Sequence, residues 1–221
     1  MLENDLFKKI MVFAAHPDDE VIGCGGSIAK YIKNNRKVEV AYMSSTDASQ
    51  DLDKARVREE EAKNACKLLG VKKFFFLREP GRYIQYNRRT VEKVITLLKA
   101  ESPNCVYVHN AEDWDTDHRA TYKIINEACW MSGLDMPQCG RNVTDIKCIL
   151  LYEVWTPLQD FQYSENISEF IGTKIRALQE YRSQLSSVRY DEAIKGLNRF
   201  RGIMSVSSKY AEVFKIKRLR P

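Results

Sequence analysis

The chain has 221 residues, 35 Lys or Arg against 30 Asp or Glu, and a formal net charge of +5. That length suits one domain spanning 1–221, and 44% hydrophobic content without low-complexity tracts excludes a disordered or fibrous chain. No apolar run approaches the ~20 residues that cross a bilayer, and Met1–Lys9 carries acids without a long apolar core, so neither a membrane span nor a signal peptide is expected and a cytoplasmic location follows.

Lys9 to Ala15 predicts a buried strand that delivers His16, Pro17, Asp18, Asp19 and Glu20 to its carboxyl end. Gly23 to Gly26 then open a helix to about Asn34, and these glycines read as close helix–sheet packing. A dinucleotide loop is disfavoured because the G-x-G-x-x-G spacing is not met and the acids before it repel a pyrophosphate. Lys37 to Met43 predicts a second strand, followed by the small polar loop Ser44–Ser49. A helix over Leu52–Leu69 follows, stopped by Gly70. On it Arg58 stands three residues before Glu61, as a surface ion pair or as an arginine aimed at a substrate.

Lys73 to Leu77 predicts strand three, Arg78 to Arg89 a basic and aromatic loop, and Thr90 to Ala100 a helix ended by Pro103. Cys105 to Val108 is strand four, with His109 at its end. Asp115 or Thr116 can cap the next helix, near whose start His118 lies. Lys147 to Val154 is strand five. Beyond Pro157 the alternation fades into a helix over Ile171–Leu185 and an extended piece, Tyr210–Ile216. Strands alternating with helices predict an α/β fold, a mostly parallel sheet covered on both faces. The six cysteines form no C-x-x-C pair and read as buried thiols. The basic tail Lys215–Arg220 reads as a solvated end with no nucleic-acid role. The remaining positive charge leaves a weak bias towards an anionic small molecule.

The chain has only three histidines, 16, 109 and 118, and each follows an apolar strand or opens the next helix. Open α/β sheets bind ligands at that edge. His16, Asp19 and His118 form a natural divalent-metal set that leaves a position for water. Such a set suits a hydrolytic Zn2+, though Fe2+ uses similar ligands. Asp18 is then placed to take the water's proton.

Ala15-His16-Pro17-Asp18-Asp19-Glu20 resembles the signature of the LmbE/PIG-L family of metal-dependent N-deacetylases, and Asp113 to Ala120 resembles its second metal motif, D-x-H-P-D-H-R-A. The helix from Arg58 to Val71 and the segments Tyr152–Trp155 and Tyr210–Phe214 are similar to less specific family blocks. The resemblance implies a Rossmann-like fold and removal of acetyl from an N-acetylglucosamine-type conjugate. It also implies His16, Asp19 and His118 as zinc ligands, Asp18 as base and Arg58 as a substrate contact; Asp47, in the loop after strand two that reaches the same edge, is a second candidate substrate contact. The family's first histidine in that second motif is Asp115 here. The expectation is that His109, nine residues before His118 and held by Asp115 or Asp113, supplies the missing acid, with Asp115 the alternative. A sugar-binding protein without turnover is the rival reading, and a homo-oligomer is compatible with the sequence.

Overall fold

The computed structural model describes residues 6–220. The segment read against a signal peptide lies partly outside the described residues. Five strands lie side by side and parallel in the order β3 (Lys73–Phe76), β2 (Lys37–Tyr42), β1 (Lys9–Ala14), β4 (Cys105–His109) and β5 (Cys148–Tyr152). Next to β5 comes β7 (Ala211–Leu219), and β6 (Tyr163–Asn166) closes that edge; β7 runs antiparallel to both neighbours. The central strands are apolar on both faces, as a covered parallel sheet requires.

Helices cover the two faces. One side carries α1 (Asp19–Lys33), α2 (Leu52–Leu69), α5 (Ile171–Leu178), α6 (Arg182–Leu185) and α7 (Tyr190–Val206). The other carries α3 (Arg88–Glu101) and α4 (Thr116–Met131). The result is a three-layer α/β sandwich. Because β4 adjoins β1 while β2 lies on the other side, the chain leaves β1 and β4 in opposite directions. That reversal opens a crevice at their carboxyl ends, where His16 and His109 emerge.

The sequence places the start of the first helix at Gly23, but α1 begins at Asp19, inside the acidic motif. Asp19 and Glu20 occupy its first turn, where carboxylates face the positive end of the helix dipole. The glycines pack as expected. A Cβ on Gly23 would come within 2.2 Å of the Tyr152 ring, and one on Gly26 within 2.7 Å of Ile167. Helix α1 kinks at Cys24, with φ −146°. Across the kink, the Glu212 carboxylate accepts from Gly26 N, Ser27 N and Ser27 Oγ, and Lys174 Nζ donates to Ile22 O and to Glu212.

The predicted helix Ile171–Leu185 divides into α5 and α6, because Tyr181 turns inward to put its hydroxyl on Glu20. Helix α7 and strand β6 were not foreseen. On α7, Phe200, Ile203 and Met204 face solvent and blur the apolar period. The basic tail is not a loose end, since its residues to Leu219 belong to β7. All six cysteines are buried free thiols. No described helix is long and apolar enough to cross a membrane.

Candidate metal centre

Strand β1 ends in a turn built around Asp18, whose φ of 119° is unusual for a side-chain-bearing residue. The turn sends Asp19 back beneath His16: His16 N donates to Asp19 Oδ2 at 2.8 Å, and His16 Nδ1 lies 3.6 Å from the same oxygen. From the other side, the first turn of α4 brings His118 Nε2 to 3.3 Å from Asp19 Oδ1. One ligand atom each from His16, Asp19 and His118 lies within 4.8 Å of the others.

A carboxylate stands behind each of these imidazoles. Asp117 Oδ2 lies 2.8 Å from His16 Nε2 and also accepts from Arg82 N, and Ile84 N donates to Oδ1. Burial would raise the Asp117 carboxyl, but the hydrogen bond and charge of His16 bring it below the ordinary range. An ionised Asp117 only accepts, so the proton sits on His16 Nε2 and the Nδ1 lone pair faces Asp19. Asp113 Oδ1 lies 3.2 Å from His118 Nδ1, leaving Nε2 towards Asp19. Asp113 Oδ2 in turn accepts from Trp155 N and Thr156 N. The triple Asp113, Asp115, Asp117 thus alternates inward. Sequence reasoning missed Asp117 as a support, although the two-residue spacing of acids before His118 was its signal.

These groups fit a cation. Asp19 Oδ1 and His118 Nε2 are fully buried, face each other and have no hydrogen-bond partner among the described residues. Burial would raise Asp19 and lower His118. Instead the two nearby imidazoles bring Asp19 well below its usual value, and the Asp19 and Asp113 carboxylates push His118 up to about 10. The pocket therefore calls for positive charge between those two atoms.

Asp18 is buried beside this cluster but points elsewhere, its Oδ2 accepting from Tyr190 Oη at 2.8 Å. Burial, then the charge of Asp19, hold its carboxyl well above the usual range. Tyr190 opens α7 and its ring meets Trp155 edge-on at 5.6 Å. Trp155 falls in the segment Tyr152–Trp155 noted in the sequence, but Tyr190 did not stand out there, because the regular alternation has ended by that point.

His109 is not held by Asp113 or Asp115. Asp113 serves His118, while Asp115 caps α4 through Asp117 N and pairs with Arg82 Nη1. His109 instead lies wholly buried, stacked on His118 with ring centroids 3.9 Å apart, and its Nε2 accepts from Ala15 N at 2.9 Å. Burial, then the His118 charge, lower it to about 4, so it is a neutral imidazole with its proton on Nδ1. The tether on which a proton-donor role rested is absent, since the helix cap takes Asp115 first.

Arg58 and Asp47 meet loosely, Nη2 to Oδ2 at 4.0 Å, and Arg58 Nη2 also reaches Gln184 Oε1 at 3.3 Å. Together with Ser183 they line a cleft of about 440 Å3. Arg58 makes no pair with Glu61, whose carboxylate takes Ser183 N and Oγ instead.

Residues 11–129, more than half of the chain, match the family described as PIG-L, GlcNAc-PI de-N-acetylase. The chain belongs to the PIG-L family. Membership makes it an enzyme acting on amide bonds. Among PIG-L relatives, it is 28% identical to the diacetylchitobiose deacetylase of Thermococcus kodakarensis over 82% of this chain and 71% of that protein. The N,N'-diacetylchitobiose deacetylase of Pyrococcus horikoshii, solved with an inhibitor, superposes with a TM-score of 0.86 at 25% identity, covering 99% of this chain and 87% of that one. GalB of Pseudomonas putida, a 4-carboxy-2-hydroxymuconate hydratase, matches with a TM-score of 0.84 at 20% identity over 97% and 98% of the two chains. That last likeness concerns the fold alone.

Proposed function

We propose that this protein is a divalent-metal-dependent N-deacetylase of an N-acetylated amino-sugar conjugate, with Zn2+ as the metal. The observation that carries the reading is the pair of orphaned buried atoms, Asp19 Oδ1 and His118 Nε2, with His16 at their side and the separately held carboxyl of Asp18 next to them. A cation held by His16, Asp19 and His118 supplies Lewis acidity to an acyl oxygen and to a water.

The remaining chemistry belongs to side chains. A cation beside Asp19 would offset the burial and negative charge that raise the Asp18 carboxyl; ionised on that account, Asp18 takes a proton from the attacking water as the water's oxygen adds to the acetyl carbon. Tyr190 fixes one Asp18 oxygen and leaves the other for this transfer. As the C–N bond breaks, the same carboxyl returns the proton to the leaving amine, and the products are acetate and the free amino sugar. His109 backs Asp19 and His118 from beneath rather than moving a proton. Arg58, whose charge bears on Asp18, binds the sugar together with Asp47 and Gln184.

The test is acetate release over a panel of N-acetylglucosamine conjugates, neutral and anionic, with the metal removed and added back. Turnover that depends on metal and disappears in D18N supports the assignment. Sugar binding without acetate release from any conjugate would leave a binding protein instead.

A further inference from the structure

The loop from Arg78 to Asn87, between β3 and α3, is sewn to the site on two sides. On one side Gly81 N donates to Thr46 Oγ1 at 2.9 Å and Gln50 Nε2 donates to Gly81 O at 2.8 Å. The packing there is so close that a Cβ on Gly81 would come within 1.9 Å of Thr46 O. On the other side Arg82 N donates at 2.5 Å to Asp117 Oδ2, the oxygen that also holds His16. Arg82 takes a φ of 65°, a left-handed conformation that side-chain-bearing residues adopt only when their surroundings impose it. Its guanidinium is half exposed, and Nη1 is fixed by Asp115, which is itself buried and capping α4.

A clasp that only closed the loop would need neither the strain nor the exposure. The backbone bonds of Gly81, Arg82 and Ile84 already close it. The left-handed backbone and the buried carboxylate together fix a half-exposed guanidinium on the residue whose N–H shares Asp117 Oδ2 with His16. Arg58 stands on the α2 wall, where its charge bears on Asp18 and on Tyr190. Guanidinium cannot give up a proton at working pH, but it offers paired N–H donors matched to carboxylate and phosphate oxygens.

We infer that Arg82, oriented by Asp115, is a specificity-determining residue that binds an anionic oxygen group, a carboxylate or a phosphate, carried by the amino-sugar substrate. The inference rests on the proposed deacetylase reading for the sugar, but its test does not require turnover.

Binding of the product-like amines glucosamine, glucosamine 6-phosphate and muramic acid to the metal-loaded protein, measured by titration calorimetry, separates the outcomes. Wild type is expected to bind at least one anionic amine about 10-fold or more tightly than glucosamine; which one it prefers identifies the anion as phosphate or carboxylate. In R82Q that ratio should fall towards one. R82K should restore part of it, since a point charge remains but the paired donors are lost. D115N, which frees the guanidinium, should reduce the ratio without abolishing it. Equal binding of all three ligands by wild type, or an undiminished ratio in R82Q with metal content and Tm intact, overturns the inference. If R82Q loses metal or folds poorly, R82K carries the test, and a wild-type ratio there with no salt dependence counts against it. Arginine-dependent anion binding without acetate release would refute the deacetylase reading and leave this one standing.

Discussion

Within the cluster each side chain has a separable job, and substitutions distinguish them. Replacing His16 or His118 by Ala removes a proposed ligand, so elemental analysis should find the metal in the purified wild type and not in the variant. Asp117 acts one step removed, by fixing the proton on His16 Nε2. D117N should retain the fold and weaken metal affinity by roughly 10- to 100-fold, the usual loss when a carboxylate behind a ligand histidine is changed. A competitive chelator titration reads that shift directly. As the proposed base, Asp18 should be dispensable for binding the metal, so D18N should keep it and lose on the order of 10²-fold or more in kcat. Y190F should fall between the two, with metal unchanged and kcat reduced. Wild-type kcat in Y190F would separate Tyr190 from the reaction. That His16, Asp19 and His118 come together was readable from the sequence because their types and strand-end positions are explicit there. Tyr190 was not, because its contact with Asp18 spans 172 residues of sequence and nothing near Tyr190 marks it. Asp115 misled for a similar reason. The cap it forms was among those the sequence offered, but its pairing with the loop residue Arg82 is not assigned by spacing.

Among the elements, α1 bears the heaviest packing demands. G23A drives a methyl group into the Tyr152 ring. Overpacking of that kind costs about 1–3 kcal/mol, visible as a lower midpoint in urea with an unchanged m-value. The ion pair at its kink is wholly buried, with Lys174 and Glu212 both inaccessible. K174M leaves the Glu212 carboxylate buried without its counter-charge, and breaking such a pair costs about 3–5 kcal/mol. The paired change K174M/E212Q should recover part of that loss, by thermal or urea unfolding. The strands β1 to β5 and the helices between them were legible because parallel sheets leave continuous apolar runs separated by amphipathic helices. The division of α5 from α6 was not, because no Gly or Pro marks it and the cause is a distant carboxylate, Glu20, drawing in Tyr181.

Across the whole molecule, acid should loosen the wall of the crevice before its floor. Hydrogen bonds from Arg78 to both Glu59 oxygens, with one from Ser45, hold the Glu59 carboxyl below its ordinary value and outweigh burial. A lowered folded-state value means stability that is present above the unfolded pKa near ~4.3 and lost as pH falls through the folded value. Wild type should therefore lose stability below about pH 4 more steeply than E59Q, in urea titrations across pH. The three-layer sandwich itself was foreseeable from the alternation of elements. The antiparallel β7 between β5 and β6 was not, since a strand's neighbours are not written in its own residues.

The position of β7 sets an order of assembly. β6 precedes β7 in the chain but touches the sheet only through it, so no hydrogen bond can hold β6 to the sheet until β7 has docked. The same strand carries Glu212, which accepts from the buried Gly26 and Ser27 N–H groups that the kink leaves free in α1. On the ribosome the three histidines emerge before β7, so this strand can join the sheet only after the segments that bear them have been made. The contacts of Glu212 with Gly26 and Ser27 span 186 and 185 residues of sequence, and contacts that distant form late. In refolding, hydrogen-exchange protection of Gly26 and Ser27 should arrive in the same kinetic phase as protection of β7, well after that of β1 and β2.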